Sequence, residues 1–389
     1  MTSMAERNVN LTAVTQRELF EIPEGVTYLN CANMSPQLRR VTEAGIAAVR
    51  SKASPWMLRA ADWFTPTERL RTLFARLING DPDGVAIVPA ASYGIALAAA
   101  NLSVGAGQSI VLLDGEFPSN FYAWRELTRR GAAVLRTVAR PTDGDWTEPV
   151  LRAIDSTTAV VAVPNCHWTD GRFVDLVRVG AAARSVGAAL VIDGSQSVGA
   201  YPLDVASIQA DFLVTVGYKW LLGPYGLAYL YVAPRWRTAG VPLERSWLTK
   251  EGAENFAALT EYSDHYRPGA RRFDMGEFPQ FVLTAMATAA LEQLMDWGVD
   301  RVQGTIAALT SRVEEGAAKA GAEALRRSDR VGHLIAIRML AGMGTDLVSA
   351  LAAANVYVSV RAGAIRVAPH VFNTERDIDR LLDVLRSHV

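Results

Sequence analysis

An α/β fold, with a large, mixed and mostly parallel sheet and a smaller C-terminal α/β unit, is what this sequence predicts. Three observations predict it. Short β-branched runs bounded by Gly or Pro recur through the first two-thirds of the chain, at Val85–Val88, Ser109–Leu113, Ala159–Val163, Ala188–Ile192 and Phe212–Val216. Helical apolar patterns separate them, the alternation that joins parallel strands through crossover helices. From Phe281 the pattern turns helical, and a second set of strands follows at His333–Arg338, Tyr357–Val360 and Ala364–Val367. The expected division is a large domain over 26–290 and a small domain built from 1–25 and 291–389.

Composition narrows the function. The 389 residues are half hydrophobic and carry a net charge of −1, so a sizeable core is expected and a basic field for nucleic acid is not. No apolar run is long enough to span a bilayer. The polar stretch Met1–Asn10 lacks an apolar signal core and reads as a loose tail. Two cysteines, Cys31 and Cys166, do not make a disulfide framework, and a cytoplasmic protein is expected. No phosphate loop, zinc helix or nucleophile elbow occurs. Gly105-Ala106-Gly107 lacks the third glycine of a dinucleotide fingerprint and reads as a turn.

The stretch Gly187–Val232 organises the chain. Its first strand stops at Asp193, and its second runs through Gly217 and Tyr218 into Lys219. Ligands of open α/β sheets lie beyond the carboxyl ends of strands, so neighbouring strands here aim a carboxylate and an amine into one crevice. A turn-capping Asp and a surface Lys would give the same local pattern.

The wider string is more particular. Asp193-Gly-Ser-Gln196, Ala210-Asp-Phe212 and Gly217-Tyr-Lys-Trp-Leu-Leu-Gly-Pro-Tyr-Gly226 resemble the lysine segment of class V aminotransferases. These are fold-type I enzymes dependent on pyridoxal phosphate (PLP), and they include cysteine desulfurases, kynureninase and isopenicillin N epimerase. The resemblance covers nearly the whole chain. It implies PLP as cofactor, Lys219 as its Schiff-base lysine, Asp193 as partner of the ring nitrogen and Gln196 as donor to the ring hydroxyl.

Other segments take roles from the same resemblance. Tyr28–Pro36 is similar to the N-terminal loop beside the substrate, with Asn33 as the candidate. Pro89–Gly94 opens an Ala-rich helix whose free amides suit a phosphate. Ser92 and the Tyr93 amide are the candidates, with help from the Tyr218 hydroxyl, although Ser92 also reads as a helix cap. Phe117 stands where a residue stacks on the ring, and as Phe it offers packing only. The loop Pro164–Gly171 implies a site role for His167, a candidate proton carrier, or for Trp168. Arg271-Arg-Phe-Asp-Met-Gly-Glu277 resembles the segment reaching a neighbouring subunit's phosphate. Glu277 replaces the usual Thr, which leaves the Gly276 backbone and implies a homodimer with sites near the interface.

Near the C-terminus, Arg366-Val-Ala-Pro-His-Val-Phe-Asn-Thr374 resembles the segment whose arginine forks onto the substrate α-carboxylate. Arg361 is a second candidate. The connection Ala362–Ile365 has no cysteine, so persulfide storage is not expected. The expected activity is PLP chemistry on an α-amino acid, with negative charge developed at the α-carbon. It leans to β-elimination by a C–S lyase, because Phe117 and Tyr218 tilt toward kynureninase-like members. Transamination and epimerisation use the same residues. A silent PLP-fold binding protein would have lost Lys219 or Asp193. The aromatic cluster Ser54–Phe64, with Trp56 and Trp63, reads as a lid, as core or as interface.

Overall fold

The computed structural model describes residues 15–344 and 346–388. The Met1–Asn10 segment expected to be a loose tail lies outside them. A short strand β1 (Thr27–Tyr28) precedes the main sheet. That sheet is built from β2 (Val85–Val88), β3 (Ser109–Leu113), β4 (Val134–Val138), β5 (Thr158–Pro164), β6 (Ala189–Asp193), β7 (Phe212–Val216) and β8 (Ala228–Val232). The C-terminal unit adds β9 (Ala322–Ala324), β10 (Ile335–Met339), β11 (Val356–Tyr357), β12 (Ser359–Arg361) and β13 (Ala364–Val367).

The seven strands lie in the order β2-β8-β7-β6-β5-β3-β4. All run parallel except β8, which is antiparallel to β2 and β7. Strands β2, β3 and β5–β8 are buried throughout or nearly so, because helices cover both faces and each residue alternates between two cores. Ile110 and Leu112 join one face with Phe212, Val214 and Trp124. Val111, Leu113 and Leu213 join the other with Phe74, Leu291 and Trp297. The sheet is thus the middle of three layers. Edge strand β4 carries the adjacent polar pair Arg136-Thr137 between its apolar residues and is largely exposed or half-buried, so its apolar signal is weak and the sequence reading did not single it out.

The C-terminal unit is a four-stranded antiparallel sheet, β12-β13-β10-β9, with its own core. Strand β1, just past the expected boundary at residue 25, pairs in parallel with β11 of this unit. The two units meet tightly. Gly171 sits at φ +80° against the Leu334 carbonyl of the C-terminal unit, and within the large unit Gly199 sits at φ +100° against the Trp220 carbonyl; at both, any side chain would collide with backbone. In the Ser54–Phe64 segment, Trp63 packs edge-on or tilted against Trp247, Phe256 and Phe281, whereas Trp56 is 77% exposed. No helix among the described residues is long and apolar enough to cross a membrane.

Candidate active site

Parallel strands place all their carboxyl ends on one rim, and the loops leaving that rim enclose a cavity of about 250 Å³. Strand β6 delivers Asp193, Ser195 and Gln196 to it. Strand β7 delivers Val216, Tyr218 and Lys219, and β3 delivers Glu116 and Phe117. Strand β5 is followed by Trp168, and β2 by Ser92. Register explains why Asp193 and Lys219 converge: Asp193 is opposite Val214, and the chain beyond β7 turns back across the strand ends.

Lys219 is 7% exposed and makes no hydrogen bond or ion pair among the described residues. Its Nζ lies 5.5 Å from the centre of the Phe117 ring and 5.8 Å from that of Tyr218. Burial lowers its pKa from 10.5 to about 8; Asp193 opposes that shift, and the Arg366 and Arg361 charges add to it. Asp193 accepts the Ser195 amide at 3.0 Å. Gln196 is fixed at both ends of its amide, donating to the Ala32 carbonyl at 2.9 Å and accepting from the Trp220 indole at 3.0 Å. Its second Nε2 proton is left for a ligand. Burial also raises the pKa of Tyr218.

The helix Ala91–Asn101 starts at this rim with Ala90 as its N-cap and no side-chain cap. Ser92 is therefore not the capping residue; it is exposed on the cavity wall inside the first turn. The first amides of that turn, Tyr93's among them, lack intrahelical acceptors and face the positive end of the helix dipole. The Tyr93 ring itself packs into the core, away from the cavity lining.

Besides Tyr93, five expected residues lie outside the cavity lining: His167, Gly276, Asn33, Arg361 and Arg366. His167 is fully buried behind the cavity, stacked 5.4 Å from Trp146, with Nδ1 on Thr169 Oγ1 at 2.8 Å and Nε2 on the Asp114 carbonyl at 3.1 Å. Burial brings its pKa down to about 4. With both ring nitrogens engaged, it braces the loop and has no proton to carry across the cavity. Gly276 donates its N–H to Glu244 Oε2 at 2.6 Å and accepts from Ser246 Oγ at 2.9 Å, so its backbone is already committed within the chain. Asn33 is exposed and outside the lining; its loop touches the site through Ala32, and through Ser35, whose amide donates to the Tyr218 carbonyl at 3.0 Å. Arg361 lines a neighbouring cavity of about 380 Å³, with its guanidinium 6.0 Å from the Trp168 ring centre.

Trp168 lines the first cavity. Its indole donates to the Gly115 carbonyl at 2.8 Å, and its ring meets Phe117 edge-on at 5.5 Å. Its own carbonyl accepts from Arg366 at 2.8 Å. Arg366 is 2% exposed, also donates to Ser359 Oγ at 3.1 Å, and has no carboxylate partner among the described residues. Burial and Arg361 lower its pKa from 12.5 to about 10. The sequence reading missed Glu116 and Ser195, both buried cavity residues with an unpartnered oxygen. Their one signal was position, just beyond the ends of β3 and β6.

These residues fit PLP. An anion site lies at an uncapped helix start, an amine and a carboxylate share the crevice, Phe117 offers a ring for stacking, and buried oxygens wait for partners. The Aminotransferase class-V family model matches residues 29–381. An uncharacterized aminotransferase of Bacillus subtilis, YcbU, is 27% identical over 95% of this chain and 96% of its own. Isopenicillin N epimerase of Streptomyces clavuligerus is 27% identical over 81% of this chain and 82% of its own. Among solved structures, the cystine C–S lyase C-DES, complexed with cysteine persulfide, superposes with a TM-score of 0.83 at 21% identity over 93% of this chain and 97% of its own. A C-DES mutant carrying glycine linked to its PLP cofactor reaches 0.86 at 21% identity, over 96% and 99%. A match across all but the chain's ends, around a lysine–aspartate crevice on an α/β sheet, makes this chain a member of the class V aminotransferase family of PLP-dependent enzymes.

Proposed function

We propose that the chain is a lyase removing a β-substituent from an α-amino acid, with a C–S bond the expected one to break. The observation that carries an amino-acid substrate is Arg366, a buried guanidinium with two neutral protein oxygens for partners and no anion among the described residues. A substrate α-carboxylate would satisfy it with charge-assisted bonds and so orient the α-C–H bond.

When bound, PLP supplies an electron sink for negative charge at the α-carbon. Asp193, Gln196, Phe117, Tyr218, the Ser92 hydroxyl and the first amides of the Ala91–Asn101 helix are the groups that would hold it. Lys219, with its pKa lowered to about 8, is neutral often enough near pH 8 to take the α-proton and return it. Trp168 and Phe117 give the cavity an apolar wall.

The leaning to a lyase rests on Phe117 and Tyr218 at the cavity wall, and the site offers no place to store a persulfide. Strands β12 and β13 are joined by Ala362 and Gly363 alone, which leaves no cysteine-bearing loop. Burial raises the pKa of both thiols, that of Cys166 to about 12. Sulfur released here therefore departs with its leaving group. Transamination is the second reading, favoured by the near-full-length likeness to YcbU. S-substituted cysteines separate the two: a lyase yields pyruvate and free thiol, whereas a transaminase converts its cofactor to the pyridoxamine form.

Lys219→Ala is expected to be colourless and to give no adduct on borohydride treatment. A yellow, trappable mutant would refute the lysine assignment. We place the chain as a homodimer in the cytoplasm. Tyr225, 68% exposed yet lining the cavity, presents apolar surface at the site, Trp56 and Met57 expose a further apolar patch, and free buried thiols suit a reducing compartment. Light scattering that gives the mass of a single chain at micromolar concentration would overturn the dimer.

A further inference from the structure

One titratable side chain in the cavity has no role in the chemistry above. Glu116 follows β3, lines the cavity and is 9% exposed. Its Oε1 accepts the Phe117 amide at 2.7 Å. Its Oε2 is buried without a partner. Asn120, one turn on, uses Oδ1 for the Trp124 indole at 3.0 Å; its Nδ2 lies close enough to pull weakly on the Glu116 carboxyl but makes no well-aligned hydrogen bond to it. Buried polar atoms nearly always have partners. An orphaned oxygen on the wall of a ligand cavity is therefore reserved for the ligand.

The charged and titratable groups around it are few. Asp193 at the end of β6 acts on Glu116 through space, Cys166 stands beyond β5, and Lys219 lies across the cavity. Two carboxyls in one low-dielectric cavity repel when both are ionised. Asp193 acts on the Lys219 amine, whereas Glu116 has the Phe117 amide, the weak pull of the Asn120 amide and no cation, so Glu116 takes the proton. Burial above all, with Asp193 adding to it, brings its pKa up from 4.5 to about 8.

We propose that Glu116 is a further cofactor-binding residue, held as the neutral acid, that donates its Oε2 proton to bound PLP and loosens the cofactor when it ionises. The neutral acid can donate where a carboxylate cannot. Ionisation removes that donor and sets a second negative charge beside Asp193, against a cofactor that is itself anionic. The inference rests on this cavity being the PLP site.

The test is equilibrium titration of the full chain with PLP from pH 6.5 to 9.5, read by cofactor absorbance and by quenching of tryptophan fluorescence. Wild type, Glu116→Gln, Glu116→Ala and Asp193→Asn are compared. Glutamine is a neutral donor at every pH, so its affinity at pH 7 should stay within about threefold of wild type, while alanine loses about tenfold, the worth of one hydrogen bond to a charged ligand. The ratio of wild-type to Glu116→Gln affinity cancels the ionisations of Lys219 and of the cofactor. It should hold steady to about pH 8 and fall about tenfold by pH 9.5. A ratio that does not change with pH, or alanine binding as wild type does, overturns the proposal. If Asp193→Asn then still weakens PLP binding, the cavity assignment stands and only the role of Glu116 is lost; if it does not, both fall.

Discussion

Arg366 and Arg71 are both buried arginines, and replacing each with methionine should have opposite consequences. Arg71 is fully buried and grips Asp274 with both terminal nitrogens, one at 2.9 Å, while Asp274 also accepts the Ile87 amide at 2.7 Å. Arg71→Met leaves that carboxylate buried and unpaired, which costs about 3–5 kcal/mol. Arg366 has no such partner. Its pKa falls from 12.5 to about 10, and at 1.36 kcal/mol per unit, holding its charge in place costs about 3 kcal/mol. Its hydrogen bonds to Ser359 and Trp168 offset about 1 kcal/mol each. Arg366→Met removes cost and bonds together, so the apo-protein should stay within about 1 kcal/mol of wild type. A chain of 389 residues unfolds with an entropy near 2 cal/mol/K per residue, so 1 kcal/mol moves Tm by about 1 °C. Calorimetry should find Arg71→Met about 4–6 °C lower and Arg366→Met within about 1 °C. Catalysis should order them the other way. Loss of a bidentate carboxylate partner costs about 2–4 kcal/mol, or about 30- to 1,000-fold in kcat/KM. If Arg366→Met destabilises as much as Arg71→Met, or leaves kcat/KM within threefold, Arg366 is a structural residue and the substrate assignment fails.

Acid should unfold this protein through its buried histidines. Burial lowers the pKa of His333 and His370 from 6.5 to about 3 and that of His167 to about 4. The unfolded chain therefore binds more protons below pH 6.5. Stability is full above that pH and falls as pH drops toward 4, by about 1.4 kcal/mol per unit for each histidine. Both ring nitrogens of His370 lack partners among Trp220, Trp297 and Phe372. His370→Phe should thus shift the acid transition, followed by circular dichroism, to lower pH; an unchanged midpoint would contradict the account. Gly199→Ala forces a side chain into φ +100° against the Trp220 carbonyl and should cost about 2–4 kcal/mol. Because Trp220 holds Gln196 at 3.0 Å, the same variant should also bind PLP more weakly, measurable by cofactor titration.

Much of the site was legible along the chain. Strands β6 and β7 are continuous apolar runs that can only be buried, so Asp193 and Lys219 at their ends had to meet on the sheet's carboxyl rim, and the Gly-Tyr-Lys-Trp segment marked the family. Helix starts and turns are equally local, with the exception of the cap: Ser92 looks like one, but the helix begins a residue before it, at Ala90–Ala91. The residues that lie outside the cavity lining share a common reason. His167, Gly276 and Arg361 have the right types at the right spacing. What they can do depends on Thr169 and Asp114, on Glu244, and on the loop before β13 that turns Arg361 toward a second cavity.

The sequence by itself determined the order of strands and helices, the strand-end chemistry and the family, because these follow from side-chain period and from contiguous motifs. Only the tertiary structure decided which groups are left without partners. That Arg366 is buried without an anion among the described residues, that His167 is saturated, and that Glu116 is buried near Asp193 with an oxygen left over all depend on desolvation and on neighbours tens or hundreds of residues away, and no local pattern of residues encodes how much water the fold removes.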